Sequence, residues 1–419
     1  MKHKFYIESL GCAKNQVDSE ALASALGAEG GDLDSAENAD TIIVNSCGFI
    51  EEAKQQSINT VIELRRRFPS KKIILAGCLA KRYHAKLSAS LKEADEVFSG
   101  ELLELTGLKD STLYQNRPLF SPPGSAFVKI AEGCNNRCSF CAIPLMRGPL
   151  KSREIDDIMN EFRALRLRGL HELCLIAQDT AAFGMDKAGH SLLSGLLAAI
   201  SAEKGDFWVR LLYLHPDHFP LEILPLMRGD PRLLPYFDIP LQHASKTLLL
   251  RMKRRGSADL YLELINKIRA ALPNAVLRST FLTGFPGESE ADFEKLLDFQ
   301  TKARLDWLGV FCYSREEGTP AADFETRPSA RTAMRRKKIL EEAQISITQE
   351  KLGRFLESEL DILVEEKTGS ALYRGRAFNQ APEVDGVSVL ESKNALTPGK
   401  TVKGRVKAIS GFDLKLCAV

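Results

Sequence analysis

No stretch of this chain approaches the roughly 18 uninterrupted apolar residues that a membrane helix needs. The start, "MKHKFYIESLG", has no apolar h-region and no small-residue cleavage site, so no signal peptide is expected. A dominant charge is also missing: 57 Lys and Arg against 55 Asp and Glu leave +2, which points to no particular partner. Nine cysteines is an odd number and suits a disulfide framework poorly. These absences together lead us to expect a cytoplasmic protein without a membrane partner. Its thiols stay reduced there, and clustered cysteines read as metal ligands before they read as disulfides. What remains is ordinary globular composition, 44% hydrophobic and 27% charged, in 419 residues, enough for two to four domains.

Three regions emerge along the chain. An N-terminal domain over 1–115 has short apolar runs, "KFYIESL", "DTIIVNS" and "KKIILAG", separated by helical segments such as "VDSEALASAL". That alternation predicts an open parallel α/β sheet. "NRPLFSPPGS" (116–125), rich in Pro, Gly and Ser, reads as a linker. A core over 120–350 repeats the alternation with "AFVKIAE", "ELCLIAQ", "FWVRLLYL", "YFDIPLQ", "AVLRSTFLTGF" and "WLGVFCYS". After Ser152, the residues Ile155, Ile158, Met159, Phe162 and Leu165 share a helix face that Gly169 ends. Six such βα units predict a partial (β/α)6 barrel, although the spacing alone also allows an open doubly wound sheet. A third region, 353–419, has runs such as "ELDILVEE", "VSVLES", "VKGRVKAIS" and "DLKLCAV" between Gly and Pro turns, which predicts a small β-barrel.

The stretch "EGCNNRCSFC" places Cys134, Cys138 and Cys141 in a loop just after the core's first strand. Loops at the carboxyl ends of strands carry the chemistry of α/β folds. A structural zinc site needs four ligands, and neither a second cysteine pair nor a nearby histidine supplies one. Three thiols with one open metal position suit an iron–sulfur cluster better. In the first region, Cys12, Cys47 and Cys78 each fall at or just beyond the end of a predicted strand, beside Gly11, Gly48 and Gly77. Strand ends line up along one edge of a parallel sheet, so these thiols can converge there. The bland reading, three buried packing cysteines, does not explain that repeated placement. Cys174, Cys312 and Cys417 read as packing residues.

CxxxCxxC after the first strand of a βα barrel, with Phe140 before the last cysteine, resembles the signature of the radical S-adenosylmethionine (SAM) superfamily. The resemblance implies that the three thiolates hold a 4Fe–4S cluster and that SAM chelates its open iron. It implies too that an electron from the cluster cleaves SAM to a 5′-deoxyadenosyl radical. With the N-terminal three-cysteine domain and a last module similar to a TRAM domain, nearly the whole chain resembles the methylthiotransferase family. That family implies two 4Fe–4S clusters, one on Cys134, Cys138 and Cys141 with SAM and an auxiliary one on Cys12, Cys47 and Cys78. It implies two SAM per turnover: one methylates a sulfur on the auxiliary cluster, and the other generates the radical that activates the substrate carbon. An electron donor, flavodoxin-like or ferredoxin-like, and a sulfur donor are then required.

The local wording "SLGCAKNQVDSE", "NSCGFIEEAKQQS", "IAQDT" and "GRAFNQAPEVDG" resembles the branch that modifies the β-carbon of an aspartate in the twelfth protein of the small ribosomal subunit. Ala13 departs from a common Pro without touching a ligand. The alternatives are methylthiolation of tRNA adenosine at its 2-position, or a non-catalytic cluster-bearing protein that binds RNA or the ribosome. Strand-end residues Gln178, Asp179, Gln242, Thr283 and Gly284, with Arg278 inside a strand, are candidates for SAM contact. His243 divides evenly between structural and functional readings. Residues 353–419 carry ten Lys or Arg and nine Asp or Glu, no basic footprint for RNA, and "VKGRVK" reads as a solvated strand face rather than a phosphate contact. Glu383 and Asp385 are candidate docking contacts for a basic protein, with an exposed turn as the bland alternative.

Overall fold

The computed structural model describes residues 2–108 and 111–419. Met1, Lys109 and Asp110, which fall within the first expected domain, lie outside the described residues. The N-terminal strands are β1 (Lys4–Ser9), β2 (Asp32–Leu33), β3 (Thr41–Ser46), β4 (Lys72–Gly77) and β5 (Glu96–Val97). They form one parallel sheet in the order β2-β1-β3-β4-β5. The two short edge strands, β2 and β5, lie outside the apolar runs that marked the other three. Helix α1 (Ala13–Ala28) covers one face, where Leu22 and Ala23 pack on Ile7, Ile43 and Ile74. Helices α2 (Glu51–Arg67) and α3 (Cys78–Ser90) cover the other, with Val61, Leu64 and Leu87 on Ile42, Val44 and Leu75. The strand order reverses between β1 and β3, and ligands of open α/β sheets bind outside the carboxyl ends of the strands at such a point.

The core contains β6 (Ser125–Lys129), a hairpin of β7 (Ala131–Glu132) with β8 (Lys151–Ser152), β9 (Glu172–Ile176), β10 (Trp208–Leu211), β11 (Leu233–Asp238), β12 (Val276–Thr283) and β13 (Trp307–Cys312). Six of these strands lie side by side in the order β13-β12-β11-β10-β9-β6, all parallel. Strictly sequential order decides for the partial barrel over the doubly wound sheet, which would reverse. Alternate strand residues divide two cores. Val128, Leu175, Val209 and Phe237 face the surrounding helices. Phe127, Ile176, Trp208, Tyr236 and Trp307 face inward.

The last domain is a closed five-stranded barrel of β14 (Glu359–Lys367), β15 (Leu372–Arg376), β16 (Ser388–Glu391), β17 (Thr401–Ser410) and β18 (Asp413–Ala418). On β17, Lys403, Arg405 and Lys407 point outward and pair with Asp361, Glu359 and Glu357 at 3.4, 2.6 and 2.9 Å. This charge ladder bears out the solvated-face reading of "VKGRVK". Cys417, expected to pack, is instead exposed, because β18 alternates and its inward positions are Leu414 and Leu416.

The segment 116–125 is no free linker. Arg117 is fully buried, donating to Glu20 at 2.8 Å, to Glu161 at 2.6 Å and to the Phe127 carbonyl at 2.5 Å. It ties α1 to β6 and to the helix α5 (Ile155–Leu167). The loop 377–386 inserts against the inner face of the six-stranded sheet. There Arg210 donates to the Phe378 carbonyl at 2.7 Å and Trp307 to that of Asn379 at 2.8 Å. Glu172, wholly buried, accepts from Arg210 at 2.8 Å and from Arg376 at 2.5 Å.

Asp385 sits in this contact. Its buried carboxyl accepts from Tyr236 at 2.6 Å and from the Ala381 amide at 2.8 Å, with Arg278 at 3.5 Å. The expected docking role for Asp385 is therefore corrected: the side chain points into the protein, because the loop turns it onto β11 and β12. Glu383 alone of the pair is exposed. Burial pushes the Asp385 carboxyl up to about 6, against the pull of Arg278 and Tyr236. The folded chain thus holds this proton more tightly than the unfolded chain does. The stability contributed by this group therefore falls as pH rises from about 4 to about 6. Asp385→Asn is expected to lack this step. The urea midpoint at pH 7.5 minus that at pH 4.5 should be more positive for the variant than for the parent chain, and an equal difference would contradict the assignment.

Candidate functional site

Pairing register explains how distant cysteines meet. Ser46 lies opposite Gly77 in the β3–β4 ladder, so the next residues, Cys47 and Cys78, emerge side by side. Ser9 lies opposite Asn45, which brings Gly11 over Cys47; a Cβ on Gly11 would sit 3.0 Å from the Cys47 sulfur. Gly11 has φ +94, a conformation that favours glycine, and it turns Cys12 onto the N-cap of α1. Cys78 is the first residue of α3. Cys12 lies close enough to disfavour the thiolates of both Cys47 and Cys78. Burial pushes Cys47 up and Cys78 up to about 11.

The second set sits in the loop that the β7–β8 hairpin closes. The Cys134 amide donates to the Gly148 carbonyl at 3.1 Å and the Cys141 amide to that of Cys138 at 3.1 Å. Gly133 has φ +72, and a Cβ there would lie 2.0 Å from the Pro149 carbonyl oxygen, so only glycine fits the loop's entry. Burial pushes Cys134 up to about 11 and Cys141 up to about 12. Thiols so disposed are ligands in waiting, since a bound metal reverses the preference and takes them as thiolates. Three converging sulfurs without a fourth protein ligand fit a 4Fe–4S cluster at each set, with one iron left open.

The two sets adjoin. Cys78 packs with Ala142 and Met146, which follow Cys141 in the short helix α4 (Ile143–Arg147) and its cap. Arg147, at the end of α4, reaches back across the boundary. Its Nε donates to the Cys78 sulfur at 3.1 Å, and Nη1 contacts Asp18 at 2.5 Å and Glu132 at 3.2 Å. Asn15 accepts from Nη2. Lys129 pairs with Asp18 and, at 2.6 Å, with Glu132, and Gln178 donates to Glu132 at 2.6 Å. Burial pushes the Glu132 carboxyl up, but Lys129 and Arg147 outweigh it and hold it below the usual range. Lys14 lies 3.5 Å over the Tyr213 ring, two residues from Cys12.

Around the second set stand residues the sequence reading missed. His215 and His218 follow β10 in "LHPDH", the one inner strand end left uninspected. The Asp217 amide donates to His215 Nδ1 at 3.2 Å, which leaves Nε2 carrying the proton, 3.9 Å from the Cys138 sulfur. Burial holds His215 well below its usual pKa, so it stays neutral. Asn136 donates to Asp179 at 2.7 Å and meets His218 at 2.8 Å, fixing the loop from within.

The SAM candidates separate. Gln178 and Asp179 end β9 beside the loop, and Gln178 Oε1 is buried without a partner. Gln242 lies past β11 with φ +69. Three others have partners within the protein. Arg278 is drawn to Asp238 at 3.0 Å and Asp385, on the face under the last domain. Thr283 donates to the Ala333 carbonyl at 3.1 Å. Gly284 has its amide on Glu288 and no room for a Cβ, which would lie 2.5 Å from that of Ala333. His243 is fully buried, its Nε2 3.5 Å from a Glu288 carboxylate oxygen.

Comparison with known proteins agrees with this layout. Residues 4–99 match the Uncharacterized protein family UPF0004, 128–299 the Radical SAM superfamily and 358–419 the TRAM domain. The fold is similar to that of a radical S-adenosylmethionine methyltransferase, TsrM, from Kitasatospora setae, with TM-score 0.54 at 15% identity over 77% of each chain. Fold and loop define a radical SAM protein, a class that uses an iron–sulfur cluster and SAM. The chain is 42% identical to the ribosomal protein uS12 methylthiotransferase RimO of Treponema denticola over 98% of this chain and 99% of that one. It is 41% identical to the Aquifex aeolicus protein of the same name, over 98% and 96%. The chain belongs to the ribosomal protein uS12 methylthiotransferase family.

Arg147→Met should destabilise the protein by about 1–3 kcal/mol, because the partly buried Asp18 and Glu132 keep Lys129 but lose their second cation. Thermal unfolding of the metal-free chain measures it, and a loss within error of zero would refute the network.

Proposed function

We propose that this chain adds a methylthio group to the β-carbon of an aspartate in ribosomal protein uS12, using two 4Fe–4S clusters and two SAM per turnover. The observation that carries this reading is the packing of Cys78 against Ala142 and Met146, which makes the two three-cysteine sets neighbours in one chain. Cys134, Cys138 and Cys141 hold one cluster, and Cys12, Cys47 and Cys78 the other. When bound, the clusters supply the electron that splits SAM and hold the sulfur that is transferred.

The protein's own contribution is placement. Gln178 is held by Glu132 through its amide nitrogen and offers its free oxygen to a donor group of SAM. Gln242 lies at the same mouth, and Asp179 keeps the cysteine loop in place through Asn136. Hydrogen abstraction from an unreactive carbon requires the carboxylate to be still, since a misplacement of about 1 Å costs about a hundredfold in rate. The work is placed in the cytoplasm, with a flavodoxin-like or ferredoxin-like protein as electron donor and a separate sulfur donor. The chain has no helix long and apolar enough to cross a membrane among its described residues.

Anaerobically reconstituted protein should hold about eight irons. Replacing Cys134, Cys138 and Cys141 with Ala should leave about four and abolish SAM cleavage. Replacing Cys12, Cys47 and Cys78 should also leave about four, but keep cleavage and lose transfer. Full iron content after the latter change defeats the second cluster. Mass spectrometry of uS12 and of tRNA after turnover reads the substrate. A methylthio group on tRNA and none on uS12 overturns that assignment and leaves the radical chemistry standing.

A further inference from the structure

The turn between helices Lys246–Arg251 and Ala258–Ala271 has no place in the chemistry above. Its residues alternate. Met252, Arg254 and Gly256 are buried, while Arg251, Lys253 and Arg255 are exposed. Lys253 is held at φ +57, which keeps the alternation through the turn. The buried side reaches the second cysteine set directly. Ser139, between Cys138 and Cys141, donates its amide to the Met252 carbonyl at 3.1 Å and its hydroxyl to that of Arg251 at 2.8 Å. Arg254 donates to the Pro240 carbonyl at 2.6 Å and lies 6.0 Å over the Phe140 ring, the residue before Cys141.

The exposed side is uncompensated. Arg251, Lys253, Arg255 and, beside Cys138, Arg137 form no ion pair among the described residues, unlike the laddered cations of β17. The one carboxylate hydrogen-bonded to the turn is Asp217, which accepts from the Arg255 amide at 3.0 Å. A depression of about 270 Å³ opens beside it, lined in part by Leu221, Arg255, Leu260 and Lys267. Leu221 and Leu260 are 41% and 53% exposed there. The hollow itself is charge-balanced, since Asp217 and Glu263 line it too and Glu263 pairs with Lys267 at 2.7 Å. The excess positive charge belongs to the turn and Arg137, and a cationic surface of that kind beside exposed leucines suits an acidic protein.

We propose that this turn, with Arg137, is where an acidic one-electron donor protein docks to reduce the site at Cys134, Cys138 and Cys141. This rests on the function proposed above and adds a location to it. One electron leaves the reduced donor and enters that site: the donor is oxidised by one, the site is reduced by one, and no bond in this chain forms or breaks. The surface lies one hydrogen bond and one peptide unit from a cysteine ligand, so the donor need not enter the mouth where SAM and substrate sit.

Reconstituted full-length protein tests this with a bacterial flavodoxin as the probe. Oxidised flavodoxin is titrated to read binding, and the reduced form is mixed anaerobically to read the rate of its oxidation. The triple change Arg251→Glu, Lys253→Glu and Arg255→Glu should weaken binding and slow oxidation about tenfold or more, and added salt should slow the unaltered protein. SAM cleavage driven by dithionite, a small reductant, should stay unchanged. Unaltered binding and rate in the triple variant, or a rate indifferent to salt in the parent, overturn the proposal. So does a variant that keeps the flavodoxin reaction and loses only nucleic-acid binding. Should the triple variant lose iron, Lys253→Gln alone replaces it, with a smaller loss in the same direction expected and no loss decisive against. Failure of the unaltered protein to cleave SAM with dithionite would strike the functional reading instead.

Discussion

Arg147 is the joint on which the two cysteine sets depend. Its guanidinium meets a sulfur of one domain, carboxylates of both, and the amide oxygen of Asn15. A lysine could not do this, because the task needs a planar fork of donors aimed in several directions. Buried ion groups of this kind seldom add stability over a well-packed apolar core. What they add is intolerance of alternatives: Asp18 and Glu132 have no comparable place to go, so the domains meet in one register. If, as proposed, a sulfur is held on one sheet and a radical made on the other, the two can combine only with that register fixed.

The inner face of the core is closed by a different device. A complete eight-stranded barrel fills its interior with its own side chains. Six strands leave the inner face open, and here the loop 377–386 of the last domain covers it. Glu172 and Arg376 join across that boundary, flanked by Arg210 and Glu365. Phe355 and Phe378 meet edge to face at 5.7 Å beside them. The stretch "GRAFNQAPEVDG" thus binds this protein's own core.

That reassignment shows what a sequence can and cannot disclose. The two parallel sheets, the last barrel and the placement of Cys12, Cys47 and Cys78 beyond strand ends were legible because each rests on local pattern: strand periodicity and glycine beside cysteine. Helix α1 was legible as a helix but not in its role. Asn15, Ser19 and Glu20 are polar and yet buried: Asn15 and Ser19 bond the ends of β1 and β3, while Arg147 reaches Asn15 and Arg117 reaches Glu20 from outside the helix's own sheet. Arg117 in a Pro-rich run, and Arg278 and Asp385 far apart in the chain, owe their positions to tertiary pairing that no window of sequence contains. His215 was within reach, being a strand-end residue like Gln178. Side-chain parity was the missing step for Arg278, which alternates to the inner face under the last domain.

The electrostatics of the two sites share a logic that the fold imposes. Buried thiols resist ionisation, yet a cluster requires thiolates. Each set therefore has a buried guanidinium close by, Arg147 at Cys78 and Arg254 at the Cys138 loop. Cys12 and Cys78 also stand at helix N-termini, where the backbone dipole favours negative charge. At Cys78 these aids do not outweigh burial, which pushes its thiol up to about 11. On the proposed function, a bound cluster would complete the deprotonation and release protons as it bound. A buried sulfur with one fixed cation can thus hold a cluster firmly without being a reactive cysteine in its absence.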